Sequence, residues 1–377
     1  MQFDDIIDRT PSYAYKWEKY KGQDILPMWI ADTEFRCAEP ILDRLKERTE
    51  HGLLGYTLPA HHSGANQAVV DWLARQYDWQ ISSDWIVWTP GVVPAFNVAC
   101  KALCQPGDKV MVQTPNYPPL LAAPKLNDLV KVEIATVEEA GRWTIDFTEL
   151  EKQAADPKCK LFIVCNPMNP VGSVLTAEEL QRIADICLSN NVSLCSDEIH
   201  CDIILDEQVK HLPAGKMPDF KGQAITLMAA SKTFNVAGLG TSFAIIEDPK
   251  IRRKFSVAAQ GMVPWVTVLG LAATQAAFTQ CDEWHQQFLR YLRGNRDYLV
   301  AEIAKIQGLK LLTPQATFLA WIDASGLGVD NPQAHFESLG VGPSPGVDFG
   351  DKNFVRINFG CPRSQLERAI TLIKNGC

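Results

Sequence analysis

Short apolar runs alternate with helical periods through the middle of the chain. The apolar runs read DKVMVQT, VKVEIATV, KLFIVCNP, VSLCSDEIH, AITLMAASK and SFAIIED, and the helical period TAEELQRIADICLSNN lies between the third and the fourth. Nearly continuous apolar strands separated by helices are typical of a mostly parallel sheet that is covered on both faces. The pattern therefore predicts an α/β domain built on such a sheet.

The pattern changes past about residue 280. A long amphipathic stretch from Trp284 to Ile306 precedes the strand candidates LKLLT, TFLAWID and FVRINF and a closing helix, RSQLERAITLIKNG. This order predicts a smaller α+β domain. The first forty-odd residues are irregular and rich in Trp, Tyr and Pro, so we expect them to pack across the small domain or a partner. We therefore assign 46–280 to the large domain, and 1–45 and 281–377 to the small domain with its N-terminal arm.

Composition and charge restrict the class of protein. A chain of 377 residues, 46% of them hydrophobic, can bury a large core. Its formal net charge of -8 argues against nucleic-acid binding, which requires cations for the phosphate backbone. The start MQFDDIIDRTPSY is acidic where a signal peptide is basic, and no apolar run approaches the length of a membrane span. We expect a cytoplasmic protein with a small-molecule partner, and no nucleic-acid or membrane partner.

Cysteine is frequent, but its spacing does not suit metal binding. The eleven cysteines include no CxxC pair, so the sequence supports neither a zinc site nor a redox motif. Several, such as Cys165 and Cys195, lie in apolar strand-like runs, where a thiol behaves as a small hydrophobic side chain. We expect no metal.

The first candidate for chemistry is the pair Ser231-Lys232, directly after the apolar run ITLMAA. A lysine at a strand end that faces a cleft can have its ammonium pKa lowered by desolvation, which makes the amine able to form an imine. An isolated Ser-Lys pair is more often a surface lysine after a strand. Other residues must therefore support the assignment.

Two further candidates follow neighbouring apolar runs. Asp197, in SLCSDEIH, lies at the carboxyl end of a strand, where open α/β sheets bind ligands. Its carboxylate can pair with a protonated ring nitrogen of a cofactor, or can simply cap the following turn. The doubled Asn-Pro of CNPMNPVG forces an extended turn after KLFIV, and Asn169 there can donate an amide hydrogen bond or serve only the turn.

A possible anion site lies at Gly91, which precedes the helical period VVPAFNVACKAL. The free amides of Val92 and Val93 would point at an anion beside the positive end of the helix dipole, and Ser231 can add a hydroxyl donor. Glycine before a helix is common, so this signal alone is weak.

Tyr117 and Arg356 complete the candidates. Tyr117, held by flanking prolines in TPNYPP, can stack on an aromatic ring or can be an ordinary core or surface tyrosine. Arg356 lies in the β-rich run FVRINFG, where an unpaired guanidinium would be costly. Either an internal salt bridge or the carboxylate of a bound amino acid would satisfy it.

Taken in order, the segments GYT, PGVVPAF, NYPP, NPMNPVG, DEIH, SKTFNVAG and VRINFGCPR resemble the fold-type I pyridoxal-phosphate (PLP) enzymes of the class I/II aminotransferase-like family. The resemblance covers nearly the whole chain. It is strongest to the MalY/PatB-type cystathionine β-lyase branch, because of PMWIADTEF, HGLLGYT, DEIH and ATFLAWID.

The resemblance implies a role for each candidate residue. Lys232 resembles the Schiff-base lysine, and Arg356 resembles the arginine for the substrate carboxylate. The implied cofactor contacts are the pyridine nitrogen (Asp197), the phenolic oxygen (Asn169 and His200), the ring face (Tyr117) and the phosphate (Val92, Val93 and Ser231). Tyr56 would reach the phosphate in a neighbouring subunit, which implies a homodimer with shared active sites.

Three positions depart from the wider family pattern. Gly240 stands eight residues after Lys232, where many aminotransferases have a phosphate-binding arginine. The glycine at this position favours the lyase branch. Met168 replaces a histidine of the doubled Asn-Pro motif. Thr33 and Glu34 stand where the branch typically has Met and Asp. These last differences affect the predicted substrate more than the cofactor.

The leading hypothesis is β-elimination from cystathionine or a similar cysteine S-conjugate, which yields a thiol, pyruvate and ammonia. Lys232 would remove the α-proton as a general base. The alternative is an aminotransferase that transfers the amino group to a 2-oxo acid. A third possibility, a regulator that keeps the fold without turnover, is disfavoured by the intact set of Lys232, Asp197 and Arg356.

Overall fold

The computed structural model describes residues 3–220 and 222–376. The strands in this part of the chain are β1 (Leu26–Pro27), β2 (Ile86–Thr89), β3 (Lys109–Thr114), β4 (Val130–Glu139), β5 (Arg142–Ile145), β6 (Cys159–Cys165), β7 (Ser193–Asp197), β8 (Ala224–Met228), β9 (Ser242–Ile245), β10 (Lys310–Leu311), β11 (Leu319–Asp323), β12 (Val341–Gly342), β13 (Ser344–Pro345) and β14 (Phe354–Asn358). The α-helices are α1 (Tyr15–Glu18), α2 (Glu39–Glu50), α3 (Ser63–Tyr77), α4 (Val92–Leu103), α5 (Pro118–Leu126), α6 (Phe147–Ala154), α7 (Ala177–Ser189), α8 (Pro249–Ala259), α9 (Val268–Gln280), α10 (Asp282–Ile303), α11 (Pro332–Ser338) and α12 (Arg363–Gly376).

The large sheet has eight strands in the order β2-β9-β8-β7-β6-β3-β4-β5. The five central strands, from β8 to β4, run parallel to one another. Strand β9 runs antiparallel to both of its neighbours, and β5 pairs antiparallel with β4 at the other edge. The predicted α/β fold with a mostly parallel central sheet is therefore confirmed.

Alternate residues of β6 show how the two faces of this sheet are covered. Phe162 and Val164 belong to one buried cluster together with Leu180 of α7. Ile163 on the opposite face belongs to a second cluster together with Phe96 of α4. Side chains of successive strand residues point to opposite faces, so a strand buried on both sides reads as a continuous apolar run. This explains the run KLFIV in the sequence.

A second, antiparallel sheet has the order β10-β11-β14-β13, and α10 and α12 pack beside each other next to it. The long helix covers Asp282–Ile303 and is shifted slightly from the predicted stretch, whereas the closing helix has the predicted bounds. The run LKLLT forms only the short strand β10. The fold thus contains the expected smaller α+β part, and the boundaries at residues 46 and 281 stay a prediction.

The N-terminal segment is bonded to this second sheet through its main chain. Strand β1 pairs in parallel with β12. The Met28 carbonyl then accepts from the Asn358 amide at 2.8 Å, and the Glu34 amide donates to the Gly360 carbonyl at 2.9 Å. The Asn358 side-chain amide donates to the carbonyls of Ile30 and Asp32, at 2.6 Å each. We call residues 28–35 the strap.

None of the helices in the described ranges combines the length and the apolar character needed to cross a membrane.

Gly172 provides a test of the packing between the doubled Asn-Pro turn and the second sheet. It has φ +75°, and a Cβ there would lie 2.6 Å from Pro314 Cβ. Gly172→Ala should lower the free energy of unfolding by about 2–4 kcal/mol, since left-handed strain and overpacking add. Gly141→Ala is the control, because φ is +78° and the Cβ would meet nothing within 4 Å. Equal losses in urea unfolding would contradict the close contact at Gly172.

Candidate active site

A cavity of about 670 Å³ opens at the carboxyl edge of the parallel strands, where ligands bind in open α/β sheets. The chain leaves β2, β6, β7 and β8 at this edge, and β14 and the strap supply the opposite wall. Nine of the ten predicted site residues line the cavity: Val92, Val93, Tyr117, Asn169, Asp197, His200, Ser231, Lys232 and Arg356.

Lys232 follows the end of β8, as the sequence predicts, and its amine reaches across to the strap. Lys232 Nζ donates to the Ala31 carbonyl oxygen at 2.7 Å. Burial lowers the pKa of Lys232 to about 8, and Arg356 acts in the same direction, whereas the charges of Asp32 and Asp197 oppose the shift. A substantial fraction of this amine is therefore neutral near physiological pH, as a nucleophile or a base requires.

Asp197 is the last residue of β7 and is only 3% exposed. Burial raises the pKa of Asp197 to about 7, although the Ile199 amide and Lys232 favour its ionised form. Its Oδ1 accepts from the Ile199 amide at 3.2 Å, so the carboxylate does cap the following turn. It also lines the cavity, and a cationic group placed there would restore its negative charge.

His200 lies three residues further along, buried against the ring edge of Phe318. Burial lowers the pKa of His200 well below its ordinary value, and the charges of Lys232 and Arg356 add to the effect. The imidazole is therefore neutral. Its Nδ1 has no hydrogen-bond partner among the described residues, and a buried polar atom without a partner is costly.

Arg356, on β14, crosses from the second sheet to the doubled Asn-Pro turn. Its guanidinium donates to Asn169 Oδ1 at 2.9 Å, to the Trp29 carbonyl at 2.6 Å and to Ser344 Oγ at 3.1 Å. The group lies over the Phe349 ring, 4.5 Å from its centroid. Since Asn169 accepts this bond with its oxygen, its Nδ2 amide remains the group that can donate to a ligand.

Arg356 is only 4% exposed. No carboxylate of the described residues lies within salt-bridge distance of its guanidinium. Its Nε also has no partner there. Burial lowers the pKa of Arg356 to about 10, which leaves the group charged at physiological pH. Of the two interpretations that the sequence allows, the structure lacks the internal salt bridge and leaves a buried cation open to a carboxylate ligand.

The first turn of α4 opens into the cavity. Gly91 is the N-cap of α4, so the amides of Val92 and Val93 fall in the first turn, where helices leave their N–H groups unpaired. Ser231 lines the same cavity. Gly240 also lies there with φ +55°, a left-handed backbone that favours glycine.

Tyr117 and Tyr56 differ in where the structure places them. Tyr117 is the N-cap of α5 before Pro118 and Pro119, partly buried at the cavity wall. Tyr56 does not line the cavity of its own chain. It is 99% exposed, with its ring edge-on to Trp265 at a centroid distance of 6.2 Å.

Sequence reasoning did not identify the cavity residues of the strap or of the turn after β13. Trp29 and Ala31 accept hydrogen bonds from Arg356 and Lys232 with their main-chain carbonyls. Every residue has such a carbonyl, so the residue types at these positions do not reveal the contacts. Ser344 and Phe349 contact Arg356 through a hydroxyl and a ring face, and no motif marks either residue. The motif PMWIADTEF was the available signal, but it pointed to a family branch and not to individual contacts.

The chain belongs to the aminotransferase class I and II family, whose model matches residues 31–373. It is 35% identical to cystathionine β-lyase PatB of Bacillus subtilis, over 99% of both chains, and 31% identical to the protein MalY of Escherichia coli, over 99% and 98%. Among solved structures, OvoB aligns with a TM-score of 0.96 and 41% identity over 100% and 99% of the two chains. A PLP-bound C–S lyase from Staphylococcus hominis gives 0.93 and 32% over 100% and 98%. The predicted family and branch are confirmed.

The raised pKa of Asp197 predicts how the stability of the protein freed of bound small molecules depends on pH. The folded protein keeps the proton on Asp197 up to about pH 7, whereas the unfolded chain releases it near pH 3.8. This carboxyl therefore destabilises the fold increasingly as the pH rises between these values. Asp197→Asn removes the penalty, so the variant should gain roughly 1–4 kcal/mol over the wild type between pH 4 and pH 8.

Urea unfolding at the two pH values measures this gain. Asp84→Asn, at an exposed carboxylate outside the cavity, is the control and should show no such pH dependence. The pKa assigned to Asp197 would be contradicted if the free energies of unfolding of Asp197→Asn and the wild type differed by the same amount at both pH values.

Proposed function

We propose that this chain is a PLP-dependent carbon–sulfur β-lyase that acts on cystathionine or a related cysteine S-conjugate. With one water, the substrate yields the thiol, pyruvate and ammonia, so one C–S bond is broken and no external oxidant or reductant is needed. Two kinds of observation support the proposal. Relatives over nearly the full chain are named cystathionine β-lyases, and the cavity combines an amine, a buried carboxyl and a buried guanidinium.

The residues of the cavity fit PLP. Lys232 offers a partly neutral amine to the aldehyde, and Asp197 offers a carboxylate to the ring nitrogen. The buried Nδ1 of His200, which has no hydrogen-bond partner among the described residues, and the Nδ2 amide of Asn169 suit the phenolic oxygen. The phosphate suits the first turn of α4 together with Ser231, and Tyr117 suits the ring face.

When bound, PLP withdraws electrons from the α-carbon of an amino acid, which acidifies the α-proton and favours loss of a thiolate from the β-carbon. The remaining work falls to the chain. Arg356 would hold the α-carboxylate in a bidentate pair, and this orients the α-proton towards Lys232. The Lys232 amine, with a pKa near 8, would take that proton as a general base.

The single observation that carries the proposal is the position of Arg356. Within the described ranges, this buried guanidinium has three neutral oxygen partners and no carboxylate, which is energetically costly unless a ligand supplies the negative charge. It lies in the same cavity as Lys232 and Asp197. This combination suits an α-amino acid whose carboxylate is bound at one point and whose α-carbon meets an amine at another.

An aminotransferase is the second candidate, and the name of the matched family favours it. Both activities need the same Lys232, Asp197 and Arg356. After removal of the α-proton, a lyase would release a thiolate from the β-carbon, whereas an aminotransferase would return a proton to a carbon of the cofactor. Gly240, which has a left-handed backbone in place of the arginine expected of many aminotransferases, supports the lyase.

The decisive experiment incubates the purified holoenzyme with cystathionine, and separately with amino-donor and 2-oxo-acid pairs, and follows thiol, pyruvate and new amino acid. We expect catalytic release of thiol and pyruvate in equal amounts. Lys232→Ala should lower this rate by about 10²- to 10⁴-fold and abolish the visible imine absorbance, whereas Lys250→Ala, at an exposed lysine, should change neither. Amino transfer without thiol release would reject the lyase.

We infer that two copies of the chain associate through the surface around Tyr56. Large apolar side chains are exposed there, namely Leu53, Leu54, Tyr56, Leu58, Met262 and Trp265. They surround a groove of about 730 Å³ between residues 54–57 and 263–269. A monomer seldom exposes a patch of this kind. A second copy would cover it and bring Tyr56 to the phosphate in the neighbouring cavity.

The cytoplasmic location also remains a prediction.

Light scattering tests this assembly. We expect a particle of twice 41.9 kDa, and Trp265→Asp should shift it towards the monomer with loss of lyase activity, because the charge is buried in the interface. Leu126→Asp, at an apolar residue of α5 that is 70% exposed, is the matched control and should remain dimeric. A monomeric wild-type protein with full activity would exclude a shared site.

A further inference from the structure

The outer part of the cavity is lined by residues that have no part in the proposed chemistry. Tyr15 and Trp29 meet edge to face at a centroid distance of 4.9 Å. Both line the cavity, and so does Asp348. Tyr15 is 68% exposed, which places this group at the mouth. We call Tyr15, Trp29 and Asp348 the mouth group.

Asp348 brings an uncompensated negative charge to the mouth. It is exposed, and its carboxylate forms no ion pair and no hydrogen bond with any residue in 3–220 or 222–376. Its position is nevertheless defined. It belongs to a short helical turn, Gly346–Phe349, and the next residue, Phe349, is held on one side by Arg356 over its ring and on the other by the Asn116 amide on its carbonyl.

A buried ion cluster holds the segment that carries Tyr15, and the Trp29 indole donates to the Lys16 carbonyl of that segment at 3.0 Å. Lys16, adjacent to Tyr15, is 1% exposed and pairs with Glu34 at 2.6 Å. Glu34 also accepts from Arg9 and from the Trp17 indole, both at 3.1 Å. Glu34 is one of the residues by which this sequence departs from the lyase branch. The cluster therefore holds the N-terminal arm, and with it Tyr15, at the cavity entrance.

The charges of the cavity define which ligand suits this mouth. The cations of the interior are Arg356 and Lys232, and a bound amino acid uses both. Lys19 lies 5.1 Å from the Trp29 ring centroid but is paired with Glu337 at 3.3 Å. The carboxylate of Asp348 remains without a partner in the described part of the chain, and it lines the same cavity as the two aromatic rings. Carboxylates and aromatic faces both attract cations.

We propose that the mouth group is the subsite for the leaving thiol and that it selects S-conjugates whose thiol carries a positive charge, such as an ammonium group. The inference rests on the proposed lyase function, because it assigns a place to the leaving group of that reaction. Cystathionine, whose leaving thiol bears an ammonium group beside a carboxylate, would present that ammonium group to the subsite. Small neutral or anionic conjugates are poorer substrates.

Three conjugates of similar length test the selection. S-(2-aminoethyl)-cysteine is cationic, S-(2-hydroxyethyl)-cysteine is neutral and S-carboxymethyl-cysteine is anionic. For the wild-type holoenzyme, kcat/KM should fall in that order, and higher salt should reduce the differences because the charge at the mouth is exposed. Asp348→Asn should lower the ratio of cationic to neutral kcat/KM by about two- to five-fold.

Two further variants make the result specific to this carboxylate. Asp348→Glu keeps the charge and should keep the preference. Asp330→Asn removes an exposed carboxylate that does not line the cavity and should leave all three values unchanged. Each ratio is taken within one variant, so a general loss of activity cancels. A ratio that Asp348→Asn leaves unchanged would overturn the proposed subsite.

Equilibrium binding separates failure of the subsite from failure of the lyase proposal. Where a conjugate is not turned over, titration of the holoenzyme with it, followed by the visible absorbance of the cofactor, gives a dissociation constant. If no conjugate yields thiol, the lyase proposal fails, and the cationic-to-neutral ratio of dissociation constants still decides the subsite. An equal ratio in wild type and Asp348→Asn would reject it.

Discussion

The arrangement of the site depends on the guanidinium of Arg356, which is buried where three parts of the chain meet. It bonds to the doubled Asn-Pro turn after β6, to the strap and to the end of β13. A buried cation must find oxygen partners wherever it lies, so each of these segments is held at a distance set by a hydrogen bond. The second sheet therefore cannot shift against the first without leaving the charge unsatisfied.

Burial leaves several polar groups of the cavity in an unfavourable state. Asp197 and Lys232 are each moved by burial towards their neutral forms, and neutral His200 keeps one ring nitrogen without a hydrogen-bond partner among the described residues. Such an arrangement is unfavourable in isolation and becomes favourable when a ligand supplies the opposite charges. The same burial that costs stability thus makes the site ready for a charged, ring-bearing cofactor and a zwitterionic substrate.

Much of this could be predicted from the sequence, because the relevant signals are local. Gly91 before an apolar helical period indicates the start of α4, and apolar runs that end in Asp197 or Lys232 indicate strand ends at one edge of a sheet. The salt-bridge question at Arg356 could not be decided in this way, since it depends on which distant side chains approach the guanidinium. One group that does approach the Arg356 guanidinium is the carbonyl of Trp29. Similarly, the carbonyl of Ala31 accepts from Lys232. Main-chain groups are common to all residues, so no pattern of side chains reveals them.

The strap has an evolutionary consequence that follows from its bonding. Its contacts with Lys232, Arg356 and Asn358 are made by main-chain carbonyls, so replacing its side chains leaves the reactive groups in place. Thr33 and Glu34 can therefore vary, and with them the seating of the N-terminal arm over the entrance. A scaffold of this kind separates the reactive groups of an enzyme from the residues that determine its substrate specificity. Substrate specificity can then change in evolution while the reactive groups are retained.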